Sequence, residues 1–142
     1  MSDKMTNRMI ATWDGGMRFV HTSATGHDLI TDAPVAGGGT DTAPTPMELI
    51  LLGLIGCTGV DVASILTKMK EPLEGLVVSA EFERAAEHPK VYTKIHLTYQ
   101  FRGKLNEKKV RRAIDLSENK YCSASAMVGK TAAISHEFVI EG

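Results

Sequence analysis

A nearly unbroken run of apolar residues follows Pro46 and predicts a long helix. Thr45 can cap its first turn, Pro46 suits the first helical position, and Glu48 stands three residues after Thr45, which together make a capping box. We expect the helix to extend to about Lys70, where lysines occupy the last turn and Pro72 then stops it.

Apolar side chains cover almost every face of this helix. They are Leu49, Ile50, Leu51, Leu52, Leu54, Ile55, Val60, Val62, Ile65 and Leu66. A helix that is apolar all round needs to be buried on all sides. Because a chain of 142 residues has little material to surround it, we expect a homodimer in which the partner covers one face.

Alternating apolar and polar positions predict strands on both sides of the long helix. The predicted elements are a hairpin of Met9–Asp14 and Met17–Thr22 around Gly15 and Gly16, a strand at Asp28–Asp32, a loop at Ala33–Pro44, a hairpin of Leu76–Arg84 and Val91–Phe101, a helix capped by Asn106 with Leu105 and Val110 as its staple, a short helix from Cys122 to Gly129, and a strand at Ala133–Ile140. In the second hairpin, Val91, Thr93, Ile95, Leu97, Tyr99 and Phe101 share one side. This order predicts a single α+β domain over residues 1–142.

Composition excludes several partners. Apolar residues make up 43% of the chain, which is enough for a packed core, and the formal net charge is -1. No basic stripe or polybasic cluster is present, so neither nucleic acid nor an anionic membrane surface is expected as a partner.

The expected compartment is the cytoplasm. Met1 to Arg8 is polar and shows no apolar signal region. The stretch from Leu49 to Ile65 is short for a membrane span and is interrupted by Asp61. A structural disulfide is unusual in the cytoplasm, so the two cysteines are interpreted as free or redox-active thiols.

The two cysteines indicate a chemical function more clearly as a pair than either does alone. Cys57 lies midway along the apolar helix among glycines that either admit another backbone or leave space beside the sulfur, and Cys122 stands where a helix start stabilises a thiolate. Taken alone, each is better explained as a small buried hydrophobe than as a reactive thiol. Together they allow a cycle in which one thiolate attacks a peroxide oxygen, and the other thiol condenses with the resulting sulfenic acid to a disulfide.

A reactive thiolate needs a cation beside it, and Arg18 on the first hairpin is a candidate. The alternative is that Arg18 is an ordinary strand arginine that faces solvent. Glu48 could orient Arg18, although the capping box already explains why a glutamate stands at position 48. Asp61 lies on the same helical face as Cys57; it could pair with a cation across an interface or point to solvent.

The sequence gives little support for a metal site or a nucleotide site. The five histidines show no paired ligand spacing and there is no C-x-x-C, so a zinc site is not expected. Gly37 to Gly39 is not followed by the helix and lysine of a phosphate loop. We therefore expect neither a metal nor an organic cofactor.

The segments Thr45-Pro46-Met47-Glu48-Leu49, Gly56-Cys57-Thr58-Gly59-Val60-Asp61 and Tyr121-Cys122-Ser123-Ala124-Ser125 resemble the two cysteine segments of the OsmC/Ohr family. The resemblance covers almost the whole chain and is greatest to the YhfA-type, OsmC-like branch. It implies antiparallel sheets wrapped around a buried cysteine-bearing helix in an intertwined homodimer. It also implies a thiol peroxidase that reduces organic hydroperoxides and, less efficiently, hydrogen peroxide, in defence against oxidative or osmotic stress.

By the same resemblance, Cys57 is the peroxidatic thiol, Cys122 resolves it, Arg18 is the activating cation and Glu48 supports it, with a lipoylated protein or small dithiol as reductant. The chain departs from the family pattern by one residue at two places. Met47 follows the proline where the family has its glutamate, and Met17 follows the glycine pair where it has its arginine. Such a shift turns a helical side chain by about 100° and moves a strand side chain to the other face.

The rival hypothesis is a non-catalytic dimer of the same fold that binds a small apolar ligand or senses redox state. Apolar residues around the glycine-rich helix can line such a cleft. An acyl-thioester enzyme is a third hypothesis, but it lacks a convincing acid or base near the helix.

Overall fold

The computed structural model describes residues 7–142, which fall into two compact units that meet in sequence between Ile50 and Leu51. Residues 1–6 of the polar N-terminal segment lie outside the described residues. The elements are β1 Ile10–Trp13, β2 Phe19–Thr22, β3 Asp28–Thr31, α1 Pro46–Lys68, β4 Gly75–Arg84, β5 Tyr92–Arg102, α2 Glu107–Leu116, α3 Ser123–Val128 and β6 Ala133–Glu141. The α+β class is confirmed, and the single domain stays a prediction.

The first unit contains a three-stranded antiparallel sheet in the order β1-β2-β3. The predicted first hairpin is confirmed, with Gly15 and Gly16 at positive φ angles of 88° and 56° in its turn. The amide of Asp14 donates to the carbonyl of Arg18 at 2.9 Å and closes the turn. Glycine adopts this left-handed backbone without the steric cost that a side chain would bring.

Buried Asp32 organises the loop after β3. Its Oδ1 accepts from the amide of Ala33 at 2.7 Å. Its Oδ2 accepts from the hydroxyls of Thr40 at 2.6 Å and Thr42 at 3.0 Å. The backbone amides of the same two threonines also donate to Oδ2, each at 3.2 Å. These bonds, that of the Thr40 hydroxyl first, hold the pKa of Asp32 far below its usual range against the opposing effect of burial. Gly39 admits the close loop, since a Cβ there would lie 2.0 Å from the Ala33 carbonyl.

The second unit contains a three-stranded sheet in the order β4-β5-β6. Strands β4 and β5 form the predicted antiparallel hairpin, but β6 pairs with β5 in parallel, so the expectation of purely antiparallel sheets is wrong here. The cause is the connection, because α2 and α3 carry the chain back across the sheet before β6 begins.

The buried side of β5 consists of Ile95, Leu97, Tyr99 and Phe101, as predicted. Thr93, which was expected on the same side, is exposed, and Tyr92 is buried instead. A register shift between Glu83 and Arg84 pairs Arg84 with Tyr92 and leaves Thr93 out of the alternation.

The long helix α1 begins with the predicted capping box. The amide of Glu48 donates to the Thr45 hydroxyl at 3.2 Å, and the amide of Thr45 donates to a Glu48 carboxylate oxygen at 2.9 Å. The buried residues of α1 are Leu51, Leu54, Thr58, Val62 and Leu66, at the three- and four-residue spacing of a single stripe. One chain therefore covers one face of α1 and leaves other apolar side chains exposed, and the expected burial of the remaining face by a partner stays a prediction.

Helix α1 is also long and apolar enough to cross a membrane, judged by length and composition alone. One such helix is weak evidence for a span, because the core helix of a water-soluble protein passes the same test. Its Thr58 hydroxyl bonds to polar groups on β5 and after α2, which is the behaviour of a helix packed within its own chain.

Replacing Asp32 with asparagine removes the negative charge that accepts the hydrogen bonds of the loop. The urea concentration at the midpoint of unfolding should therefore fall at pH 7. The folded pKa of Asp32 is depressed, so its stabilisation is present above the unfolded value of about 3.9 and is lost as pH falls through the folded pKa. The difference between wild type and Asp32→Asn should therefore persist at pH 5 and shrink in stronger acid. Asp41→Asn, at an exposed position of the same loop, is the control, and an equal loss there would contradict the account.

Candidate functional site

The two cysteines come together in the second unit. Cys57 lies midway along α1 and is partly exposed, whereas Cys122 is 3% exposed and caps α3. Their sulfur atoms and a carboxylate oxygen of Asp61 all lie within 4.8 Å of one another. A disulfide needs about 2.05 Å between sulfurs, so the two sulfurs are neighbours that are not bonded in this structure.

The position of Cys122 follows from the end of α2. The helix continues into a single π turn over Ser117–Tyr121, and the amide of Cys122 donates to the Ser117 carbonyl at 2.7 Å. The Cys122 sulfur in turn accepts from the amide of Ser125 at 3.3 Å, which starts α3. The predicted helix start at Cys122 is confirmed.

The surroundings of Cys122 keep it protonated. Burial raises the pKa of its thiol, hydrogen bonding from Ser125 opposes that effect, and the neighbouring Cys57 adds to it. Cys122 therefore attacks another sulfur well only when a nearby group accepts its proton. Asp61 is the carboxylate within 4.8 Å of its sulfur.

A chain of hydroxyl groups begins at Asp61 and passes through the interior. The Ser117 hydroxyl donates to Asp61 Oδ2 at 3.1 Å, and the Thr58 hydroxyl lies 2.9 Å from Ser117 Oγ and 2.8 Å from Tyr99 Oη. Thr58, Tyr99 and Ser117 are all completely buried. The role that the sequence left open for Asp61 is thus to accept a hydrogen bond within its own chain.

The other end of the chain reaches the protein surface. The Tyr99 hydroxyl donates to Glu118 Oε2 at 2.6 Å, and His136 Nδ1 lies 3.1 Å from Glu118 Oε1. The side chains of Glu118 and His136 are 12% and 26% exposed. Burial first, and then the bond to Glu118, raise the pKa of Tyr99 far above its usual range, so its hydroxyl keeps its proton.

Sequence reasoning missed this polar chain. The available signal was a tyrosine among the apolar residues of β5, since a buried tyrosine usually finds a hydrogen-bond partner. Its partners Thr58 and Glu118 are 41 and 19 positions from Tyr99 in the sequence. Nothing in the local pattern links positions so far apart.

Arg18 and Glu48 lie in the first unit. An Arg18 guanidinium nitrogen donates to the Thr42 hydroxyl, and another lies 3.7 Å from a carboxylate oxygen of Asp14. Glu48 is engaged in the capping box. Within residues 7–142, Arg18 and Glu48 share neither a hydrogen bond nor an ion pair.

The same two sulfurs and the Asp61 carboxylate could hold a metal ion, and they are the one such group of three found among the described residues. Thiolates and a carboxylate suit Zn²⁺, although a closed structural site would need a fourth ligand. A bound ion and a Cys57–Cys122 disulfide exclude each other, because the ion binds the two thiolates that disulfide formation consumes.

Comparison with known proteins adds the family. A family model described as OsmC-like protein matches residues 38–137. Protein YhfA of Escherichia coli K12 is 37% identical over 129 residues, covering 90% of this chain and 93% of the relative.

Two solved structures show the same fold. A hypothetical protein from Aquifex aeolicus has a TM-score of 0.80 at 29% identity, covering 96% of this chain and 98% of its own. An organic hydroperoxide resistance protein OsmC from Legionella pneumophila has a TM-score of 0.68 at 18% identity, covering 98% of this chain and 100% of its own.

Iodoacetamide should alkylate Cys57 before Cys122 in the folded protein at pH 7. Cys57 is partly exposed, whereas Cys122 is buried and its pKa is raised. Peptide mass spectrometry of timed samples measures both rates, and a sample unfolded in urea is the control in which the two cysteines should react alike. Equal rates in the folded protein would contradict the described environments.

Proposed function

Because the chain belongs to the OsmC-like family, we propose that it is a thiol peroxidase in which Cys57 is oxidised and Cys122 resolves the product. The observation that carries the proposal is the approach of the two sulfurs to within 4.8 Å at the end of a buried polar chain.

The exposure of the two thiols sets the order of events. Cys57, which is partly exposed, meets the hydroperoxide first. Its thiolate attacks an oxygen of the hydroperoxide, the O–O bond breaks, and the alkoxide leaves as an alcohol after taking a proton. The buried Cys122 then attacks the sulfenic sulfur of Cys57, water leaves, and an external dithiol reduces the disulfide.

The substrate class comes from relatives. The Legionella protein of the same fold is named for organic hydroperoxide resistance, and we propose organic hydroperoxides as the preferred substrates, with hydrogen peroxide as a poorer one. A lipoylated protein or a small dithiol is the proposed reductant. Defence against oxidative or osmotic stress is the proposed role, and free thiols fit the reducing cytoplasm.

Arg18 is kept in the proposal as the cation that faces the peroxide, with Glu48 as its support. The loop hydroxyl of Thr42 and the carboxylate of Asp14 hold the guanidinium in the free chain. Arg18 is 28% exposed at its side chain, so those bonds can be exchanged for contacts with substrate. Glu48 also anchors the first turn of the helix that carries Cys57.

A homodimer is part of the proposal, and the uncovered face of α1 supports it. Leu52 and Val60 are 50% and 70% exposed, and a Cβ added at Gly53 or Gly56 would meet nothing within 4 Å. Glycines and apolar side chains on one open face allow the close approach of a second copy of the helix. A partner there would remove apolar surface from water at about 25 cal/mol per Å².

A second candidate function is the binding of an apolar ligand. The first unit contains an open hollow of about 560 Å³, whose lining includes Val20, Leu29, Ile30, Pro44 and Leu49. Hollows of this size and character accept small molecules. A ligand-binding protein would leave hydroperoxide unconsumed beyond a stoichiometric amount, which separates the two functions.

Replacing Cys57 with serine should abolish turnover of cumene hydroperoxide with dithiothreitol or reduced lipoamide, because the other thiol, Cys122, is buried and its pKa is raised. Without added reductant, Cys122→Ser should consume one equivalent of peroxide per chain to form the Cys57 sulfenic acid, and excess peroxide should then carry Cys57 to sulfinic acid. Peroxide consumption and the mass of the Cys57 peptide measure both results.

Serine is the matched replacement at each position, since it is close to cysteine in size but its hydroxyl cannot form a sulfenic acid or a disulfide. Circular dichroism should show that both variants fold like the wild type. Full turnover by the Cys57→Ser variant would sink the peroxidase proposal, and wild type that consumes no peroxide with either reductant would favour the ligand-binding function.

Replacing Val60 with glutamate should dissociate the dimer. A charge placed inside an interface costs several kcal/mol, so the dissociation constant should rise by about 100-fold or more. Light scattering after size exclusion gives the molar mass over a dilution series. Val139→Glu, at a 49% exposed position on β6, is the control that should leave the mass unchanged, and a monomeric wild type would refute the dimer.

A further inference from the structure

Cys57, Asp61 and Cys122 together offer the donor atoms of a site for a thiophilic cation. Their two sulfurs and one carboxylate oxygen lie within 4.8 Å of one another, and no other three cysteine, histidine or acidic side chains were found to converge in this way among residues 7–142. Two thiolates and a carboxylate carry three negative charges that a divalent ion offsets. Sulfur ligands favour Zn²⁺ over hard cations such as Mg²⁺.

Two separate elements supply these ligands. Cys57 and Asp61 stand four residues apart on α1 and share a helical face, whereas Cys122 caps α3. The expectation of no zinc site came from histidine spacing and the lack of a C-x-x-C, and this group uses neither. A tetrahedral ion with Zn–S of about 2.3 Å and Zn–O of about 2.1 Å holds its ligand atoms about 3.6–3.8 Å apart. The three atoms therefore need to close by no more than about 1 Å.

Hydrogen bonds behind the ligands hold two of them in place. The Ser117 hydroxyl donates to Asp61 Oδ2 at 3.1 Å, and the amide of Ser125 donates to the Cys122 sulfur at 3.3 Å. The Ser117 hydroxyl is fixed in turn by the Thr58 hydroxyl, 2.9 Å away. Metal ligands in proteins are ordinarily oriented by such outer hydrogen bonds.

The hydroxyl of Ser125 is an independent observation beside the same group. Ser125 is 6% exposed, and its Oγ is the one buried side-chain polar atom without a hydrogen-bond partner in the part of the chain that the structure describes. Burial raises the pKa of the Cys122 thiol, and the Ser125 side chain opposes that rise. The hydroxyl therefore lies beside the sulfur without a hydrogen bond of ordinary geometry. A buried polar atom of this kind calls for a partner.

We propose that Cys57, Cys122 and Asp61 bind one Zn²⁺ ion per chain in the reduced protein, with a water at the fourth position that is hydrogen-bonded to Ser125. The ion replaces both thiol protons, which pass to the solvent, and one net negative charge remains at the site. Cys57 is partly exposed and provides the path from solvent. Binding needs only the two reduced thiols, so the site does not depend on the peroxidase proposed above.

A consequence for redox chemistry does rest on the proposed peroxidase. The bound ion holds the Cys57 sulfur that would attack a hydroperoxide. When the pair is oxidised, one hydroperoxide takes two electrons from the two thiolates and two protons from the solvent. The products are the disulfide, an alcohol and water, and the ion is set free. The reduced protein would thus hold the ion, and the oxidised protein would release it.

Titration of the reduced, metal-free protein with Co²⁺ tests the ligand set. Thiolate ligation gives a charge-transfer band in the near ultraviolet, and four-coordinate Co²⁺ gives intense visible bands. One equivalent per chain should bring both to a plateau, and Zn²⁺ should then remove them. Competition with a chelator gives the Zn²⁺ affinity, which should fall by about 100-fold or more in Cys57→Ser, Cys122→Ser and Asp61→Asn and by about 10-fold in Ser125→Ala.

The matched controls are Asp115→Asn on α2 and Ser123→Ala on α3, both at exposed positions. They should bind Zn²⁺ like the wild type. A wild type that lacks the thiolate band, or that binds one ion per two chains, would overturn the site. Wild-type affinity in Cys122→Ser or Asp61→Asn would overturn it as well.

Protection from alkylation tests the site in the wild type, without relying on the folding of any variant. Zn²⁺ at about ten times its dissociation constant should slow the reaction of iodoacetamide with both Cys57 and Cys122 by about 10-fold, because only the metal-free fraction reacts. Mg²⁺ at the same concentration should have no effect. Alkylation of Cys122 at an unchanged rate with Zn²⁺ bound would contradict its place in the ligand set.

Metal release under cumene hydroperoxide, followed with a metal indicator, keeps this proposal distinguishable from the peroxidase. One ion released for each Cys57–Cys122 disulfide formed supports both proposals. A protein that binds Zn²⁺ through the two thiolates but consumes no peroxide supports the site and defeats only the peroxidase. Ions that stay bound after the disulfide has formed would overturn the shared ligand set.

Discussion

The hydroxyl of Thr58 is the contact on which the site depends. It joins α1 to Tyr99 on β5 and to Ser117 after α2, and all three residues are completely buried. Cys57 is the residue before Thr58, and the Ser117 carbonyl accepts from the amide of Cys122. One buried threonine therefore fixes the position of α1 against β5 and the end of α2. Because Cys57 is the neighbour of Thr58 and the amide of Cys122 bonds to Ser117, the two thiols lie close together.

The same helix presents a second constraint, because it carries more apolar surface than one chain covers. Its buried stripe serves the contacts with its own unit, and the small and apolar residues of another face stay open. The arrangement explains how α1 can place Cys57 beside Cys122 and still leave an apolar surface open. The polar chain and the apolar face use different sides of the helix, so neither function obstructs the other.

Local signals in the sequence predicted local features well. The capping box at Thr45, the glycine turn of the first hairpin and the helix start at Cys122 each depend on residues a few positions apart, and the structure contains all three. The parallel pairing of β6 and the burial of Tyr92 depend on how distant segments align, which no local pattern specifies.

The site divides in the same way. The cysteines could be chosen from the sequence as a pair and by family resemblance, but the bonds of Asp61, Thr58 and Tyr99 join residues far apart in the sequence. Glu48 is the opposite case, because its partner is close in the sequence. The capping interaction with Thr45 that the sequence predicts is the one observed in the structure. The role of Arg18 rests on family resemblance, because its contacts in the first unit are with Asp14 and Thr42.

The central claim is that Cys57 and Cys122 form one redox pair. Mapping the disulfide by peptide mass spectrometry, after the purified wild type has consumed its reductant under excess cumene hydroperoxide, tests it most directly. The account predicts an intramolecular Cys57–Cys122 disulfide in nearly every chain. Cysteines that remain reduced, or a Cys57 oxidised to sulfinic acid beside an untouched Cys122, would contradict it.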